Sequence, residues 1–198
     1  MRYRSFVVTA LAGSLLLSAC KSDPPPPPAP TGPTAEELAQ RRADSIAAVR
    51  AEEARIRAEE EAARREAEAA RRALEAARNA LTAEVYFDYD MSDIRTDAER
   101  VLRGKVEVLR NSPQVQLRIE GHADERGSNE YNLALGNRRA QAVVDFFTNF
   151  GLDGDRFSIV SYGEERPAAQ GSNESAWSKN RRAEFVITAG QNNINPGM

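Results

Sequence analysis

The stretch Ile119–Phe147, IEGHADERGSNEYNLALGNRRAQAVVDFF, decides the fold. Ile119, with Val115 and Leu117 before it, alternates as a half-buried strand does, and the strand runs out at His122, Ala123 and Asp124 into a polar loop containing Gly127. A helix follows, capped by Ser128 or Asn129. Its apolar stripe, Leu133, Ala140, Val143, Val144 and Phe147, is laid against a sheet, with Gly151 as the stop. At about 100° per residue, Asn132, Leu135, Arg139 and Phe146 share the flank beside that stripe, while Arg138 points away. Arg139 can therefore look back toward the loop that carries Asp124. A carboxylate facing a guanidinium across a gap suits a ligand with an ammonium at one end and a carboxylate at the other. The same two residues also suit an internal salt bridge, and the pattern alone leaves both readings open.

Working outward, the aromatic run Val85, Tyr86, Phe87 and Tyr89 is expected to be a strand. Asp93–Asn111 is expected to be a helix with Ala98, Val101, Leu102, Val106 and Leu109 on one face, ended by Pro113. Beyond the central stretch come a strand over Arg156–Tyr162, a short helix over Glu174–Lys179 and a last strand over Arg182–Thr188. Residues 83–189 thus make an α+β domain, βαβαβ plus a short helix and a final strand, with a mixed four-stranded sheet and helices packed on it. The tail, residues 190–198, has no pattern and is expected to be disordered.

Toward the N-terminus, Thr34 to about Thr82 is almost wholly Ala, Glu and Arg. Thr34 with Glu37 forms a capping box. Glu37/Arg41, Glu53/Arg57, Glu60/Arg64, Glu61/Arg65 and Glu68/Arg72 are helix-stabilising pairs in the favourable order. The block predicts a long charged helix, about 72 Å if continuous. It is read as a solvated rod, with weak coiled-coil pairing along Ala63, Ala67, Ala70, Leu74, Ala77 and Leu81 as the alternative. Residues 20–33 hold a proline-rich tether, SDPPPPPAPTGP. Residues 1–19 read as a lipoprotein signal peptide: Arg2 and Arg4, an apolar core from Phe6 to Leu17, then Leu17-Ser18-Ala19-Cys20, a lipobox with Cys20 as the acylated residue. Cys20 is the one cysteine, which excludes an internal disulfide and a cysteine metal cluster.

The remaining chemistry is sparse. His122 is the one histidine, and no residue set oriented for catalysis accompanies it, so an enzyme is not expected, nor a metal or cofactor. His122 is read as structural. The 27 basic and 30 acidic residues, net charge −3, without interleaved aromatic and basic residues, argue against nucleic acid. Arg181 and Arg182 are expected to pair with acidic neighbours at the start of the last strand.

VYFDYDMSDI, GHADERGSNEYNLALGNRRAQAVVDFF, IVSYGEERPA and SKNRRAEFVI, four blocks in order, resemble the OmpA-like peptidoglycan-binding family over residues 83–189. The resemblance implies non-covalent binding of diaminopimelate in the peptidoglycan stem peptide, by Asp124 and Arg139. Phe87 and Asp88 would approach the ligand through their backbone, and Asn132 and Leu135 would line the pocket. It further implies an outer-membrane lipoprotein held by lipid on Cys20, facing the periplasm, with the propeller protein TolB as partner. A wall-binding lipoprotein without a Tol partner, or a coiled-coil envelope scaffold, is the alternative. The family's helix usually reads Leu-Ser before the arginines; here it is Leu135-Gly136.

Overall fold

The computed structural model describes residues 32–197. The expected signal peptide, Cys20 and the tether up to residue 31 lie outside them. The first element, α1, spans Ala35–Thr82. The chain divides into two units at Ala54/Arg55. Up to Ala54 the described chain is exposed helix, opened by the expected box: Thr34 N–H donates to Glu37 Oε2 at 2.9 Å, and Glu37 N–H to Thr34 Oγ1 at 3.2 Å.

From Arg55 onward, Arg65–Glu61 and Arg72–Glu68 pair along the exposed face. The last turns of α1 are a different matter. Ala77 and Leu81 are buried in the core of the domain, and the partly buried Leu74 packs against it. The C-terminal part of the stripe proposed for pairing is therefore taken by the domain itself and is not free for a second helix.

The sheet contains β1 (Val85–Tyr86), β2 (Gln116–His122), β3 (Phe157–Gly163) and β4 (Arg182–Ala189), in the order β1-β4-β2-β3. The expected first strand is cut short. Tyr86 is its last residue, Phe87 N–H makes one more bond to Arg181 O at 2.9 Å, and the chain then turns through Asp90, a non-glycine residue at φ +57°. Helix α2 (Thr96–Asn111) correspondingly starts later than the expected Asp93. β2 runs parallel to β3 through the crossover helix α3 (Asn129–Asn149) and antiparallel to β4, which is preceded by α4 (Glu174–Asn180).

One sheet face carries Leu117, Ile119, Ala183 and Phe185, which join Leu102, Val106 and Leu109 of α2 and Ala140, Val143 and Phe147 of α3 in a single core. Val101 is only partly buried. Ser128 caps α3, its Oγ accepting Tyr131 N–H at 3.3 Å. Gly136 explains how closely α3 sits on β2. A Cβ there would lie 2.4 Å from Ser161 Oγ and 2.7 Å from Gly121 O, and one on Gly121 would lie 1.8 Å from Gly136 O.

The tail differs from expectation. Gln191–Asn193 form a 3-10 turn, Ile194 is buried in the core, and Asn195 N–H donates to Ser112 Oγ at 2.8 Å. An apolar residue five places beyond the expected boundary gives the tail something to bury, so the core extends past residues 83–189 at both ends.

Candidate functional site

Where β2 ends, the loop after it, the turn after β1 and the first half of α3 surround a cavity of about 110 Å³. Asp124, Arg126 and Gly127 line it from the first, Tyr89 and Asp90 from the second, and Tyr131, Asn132, Leu135 and Arg139 from the helix. The helical spacing derived above brings Asn132, Leu135 and Arg139 to one side, all three buried, while Arg138 is exposed.

Arg139 is wholly buried. Its Nε donates to Met91 O at 2.9 Å, Nη1 to His122 O at 2.7 Å and Nη2 to Asp88 O at 3.1 Å, and its Cζ lies 5.2 Å from the centre of the Phe87 ring. Three of its five N–H groups are thus held by backbone, and two are left. Burial draws the guanidinium down from its ordinary value to about 10, with Asp124 pulling the other way, so it stays charged at neutral pH.

The internal Asp124–Arg139 salt bridge is not formed. Asp124 pairs instead with Arg126, Nη2 to Oδ2 at 2.7 Å and Nε to Oδ1 at 3.1 Å, and with Arg181 Nη1 at 3.4 Å. Arg126 N–H also donates to Asp124 Oδ1 at 3.1 Å, closing the loop on itself. Burial opposes the charge on Asp124, but the hydrogen bonds from Arg126 outweigh it and hold the carboxyl below its ordinary range. The Arg126 guanidinium carbon lies 3.9 Å from the centre of the Tyr89 ring and 4.2 Å from that of Trp177.

Neither Phe87 nor Asp88 lines the cavity. The Phe87 side chain is in the core and its carbonyl accepts from Arg181 Nε at 3.1 Å, while the Asp88 carbonyl is one of those holding Arg139. The next two residues, Tyr89 and Asp90, form the wall in their place, because the strand ends early and the left-handed Asp90 turns the chain. Asn132 donates to Glu164 Oε2 at 2.6 Å. Tyr131 Oη hydrogen-bonds Asp90, joining α3 to the turn after β1.

Sequence reasoning missed Arg126, Tyr89, Asp90, Tyr131 and Trp177. The Asp-x-Arg spacing of Asp124 and Arg126 was the one available signal, since a loop aspartate readily accepts from the N–H two residues on. Arg181 and Arg182 do pair with acids, Arg181 with Asp124 and Glu174, Arg182 with Glu184. That Arg181 thereby supports the cavity was not legible.

The sequence profile of the OmpA family matches residues 86–181. The peptidoglycan-associated lipoprotein of Brucella melitensis is 48% identical over 103 residues, which cover 52% of this chain and 61% of that protein. That of Pseudomonas aeruginosa is 46% identical over 100 residues, covering 50% and 59%. The chain thus spans about three fifths of the length of these curated relatives. Among solved structures, the crystal structure of the peptidoglycan-associated lipoprotein from Burkholderia pseudomallei is 39% identical, with a TM-score of 0.52, covering 53% of this chain and 89% of that one. With the profile, the sequence identity and the fold in agreement over the region that forms the cavity, this chain belongs to the OmpA family and is similar, within it, to the peptidoglycan-associated lipoproteins.

Proposed function

We propose that this chain is a non-enzymatic lipoprotein of the outer membrane, anchored by lipid on Cys20 and facing the periplasm, whose folded domain binds peptidoglycan without covalent chemistry. The diaminopimelate of the stem peptide is the ligand group, Arg139 taking its carboxylate and Asp124 its ammonium. The protein thereby ties the outer membrane to the cell wall as part of a Tol–Pal-like system serving envelope integrity and division, with a TolB-like periplasmic protein as partner. Residues 20–33 and the exposed part of α1 serve as spacer between lipid and domain.

The observation that carries the reading is Arg139: a buried guanidinium held by three carbonyls, with two N–H groups remaining, on a cavity that Asp124 also lines. A fixed fork of donors suits a carboxylate, which accepts two parallel bonds. Asp124 is already paired, so the ligand ammonium must replace a cation. Arg126 is the one that yields, since its side chain is 29% exposed against 7% for Arg181. The names of the similar proteins support the wall as the target.

Co-sedimentation with isolated sacculi tests the reading. Asp124→Ala and Arg139→Ala should each lose about 2–5 kcal/mol of binding while the folded fraction is followed by circular dichroism. Retained binding in both variants removes the site. Fatty-acid labelling of wild type and Cys20→Ser tests the anchor, and incorporation into the variant would overturn it.

A further inference from the structure

On the sheet face opposite the core, the described residues include a buried group with its hydrogen-bonding capacity left open. His122 is 1% exposed and neither ring nitrogen has a partner. A neutral imidazole carries one N–H and one lone pair, and leaving both unmatched in the interior is costly enough to call for a reason. Tyr162 stacks on the ring, centroids 5.6 Å apart, and fixes its plane without satisfying either nitrogen.

The charged neighbours of His122 are the carboxylates Glu120 and Glu184 and the guanidinium groups of Arg182 and Arg166. Glu120 lies two residues back on β2, hence on the same face, and Glu184 is its register partner across on β4. One ligand atom from each of the three lies within 4.8 Å of the others. Glu120 is 5% exposed, and two like charges set directly opposite in a sheet repel. Arg118 and Arg182 offset this in part, but the hydrogen bonds they give these carboxylates end on one oxygen, Oε1, of Glu120 and of Glu184 respectively, Arg182 also donating to the Asn180 and Arg166 carbonyls, and a carboxylate offers roughly four lone-pair positions.

His122 Nε2 lies 3.7 Å from Glu184 Oε1, too far for a hydrogen bond. It is close to the roughly 3.4 Å edge between an imidazole nitrogen and a carboxylate oxygen bound to one tetrahedral zinc ion. We propose that Glu120, His122 and Glu184 form a site for a divalent transition-metal ion of the zinc class, with one imidazole and two carboxylate ligands and the fourth position open to solvent. The Glu184 side chain is 32% exposed and provides the way in. An ion held there links β2 to β4, the two central strands, and the site stands independently of the peptidoglycan reading.

The test is calorimetric titration of Zn²⁺ into the full chain, purified in detergent and stripped with a chelator, with Co²⁺ as the absorbing substitute. The expected result is one saturable site per chain, a melting temperature raised by the metal, and a visible Co²⁺ band. Glu184→Gln and His122→Gln should each weaken binding at least about tenfold, and Cys20→Ser should leave it unchanged. Should His122→Gln fail to fold, Glu184→Gln, at a partly exposed position, decides alone. No saturable uptake by the wild type, uptake indifferent to Glu184→Gln, or uptake lost in Cys20→Ser overturns the site.

Discussion

Lys105 and Arg139 are both wholly buried cations, and both hold three backbone carbonyls, yet one belongs to the scaffold and the other to the cavity. Lys105, on α2, donates from Nζ to Ala80 O at 2.8 Å, Leu81 O at 2.9 Å and Ala83 O at 2.6 Å, fastening the C-terminal end of α1 to the domain. An ammonium has three N–H groups, and all three are in use. A guanidinium has five, so the same number of carbonyls immobilises Arg139 and still leaves donors over. Burial and charge alone do not distinguish a structural cation from a binding one; the count of unused donors does.

The sharpest way to break this comparison is Arg139→Lys, which supplies three donors for the three carbonyls and none beyond. Folding should persist, and sacculus binding should fall by about 2–5 kcal/mol, the loss also expected for alanine. Binding near the wild-type level would mean that charge alone suffices. Lys105→Met is the counterpart in the scaffold. It leaves carbonyls at the end of α1 without a donor and should cost about 2 kcal/mol in urea denaturation, with faster amide exchange near residues 80–83 and unchanged affinity of the folded fraction. Gly136→Ala tests whether both cations depend on the close seat of α3 on β2. Overpacking outweighs the gain in helix propensity, so a net loss of about 1 kcal/mol is expected in the melting curve.

Smaller still is the effect of acid on Asp124. Its carboxyl is held below the ordinary 3.8, so its contribution to stability is complete above that value and is lost as pH falls through the lower folded one. Asp124→Asn should therefore flatten the loss of stability below that pH, as read by thermal melts across an acid series. The smallest effect belongs to Arg138→Ala. Arg138 is exposed and meets the outer face of Tyr131, 5.5 Å from the ring centre, so sacculus binding should change by no more than about 0.5 kcal/mol. A larger loss would move the site to the outside of α3.

Local chemistry determined what the sequence could settle alone. The Thr34–Glu37 box, the Ser128 cap, the alternation of β2 and the periodicity that puts Asn132, Leu135 and Arg139 together but Arg138 apart depend on residues a few places from one another. Four ordered blocks were also enough to place the chain in its family. Only the tertiary structure decided that β4, last in sequence, lies between β1 and β2, because strand order is fixed by which apolar faces close one core rather than by any segment's own preference. That placement brings Arg181 to Asp124, 57 residues away, and Glu184 opposite Glu120. The burial of Leu81 and Ile194 in the core, and the three carbonyls that distant turns offer to Arg139, likewise exist only once the chain has closed, since each joins groups that no local spacing relates.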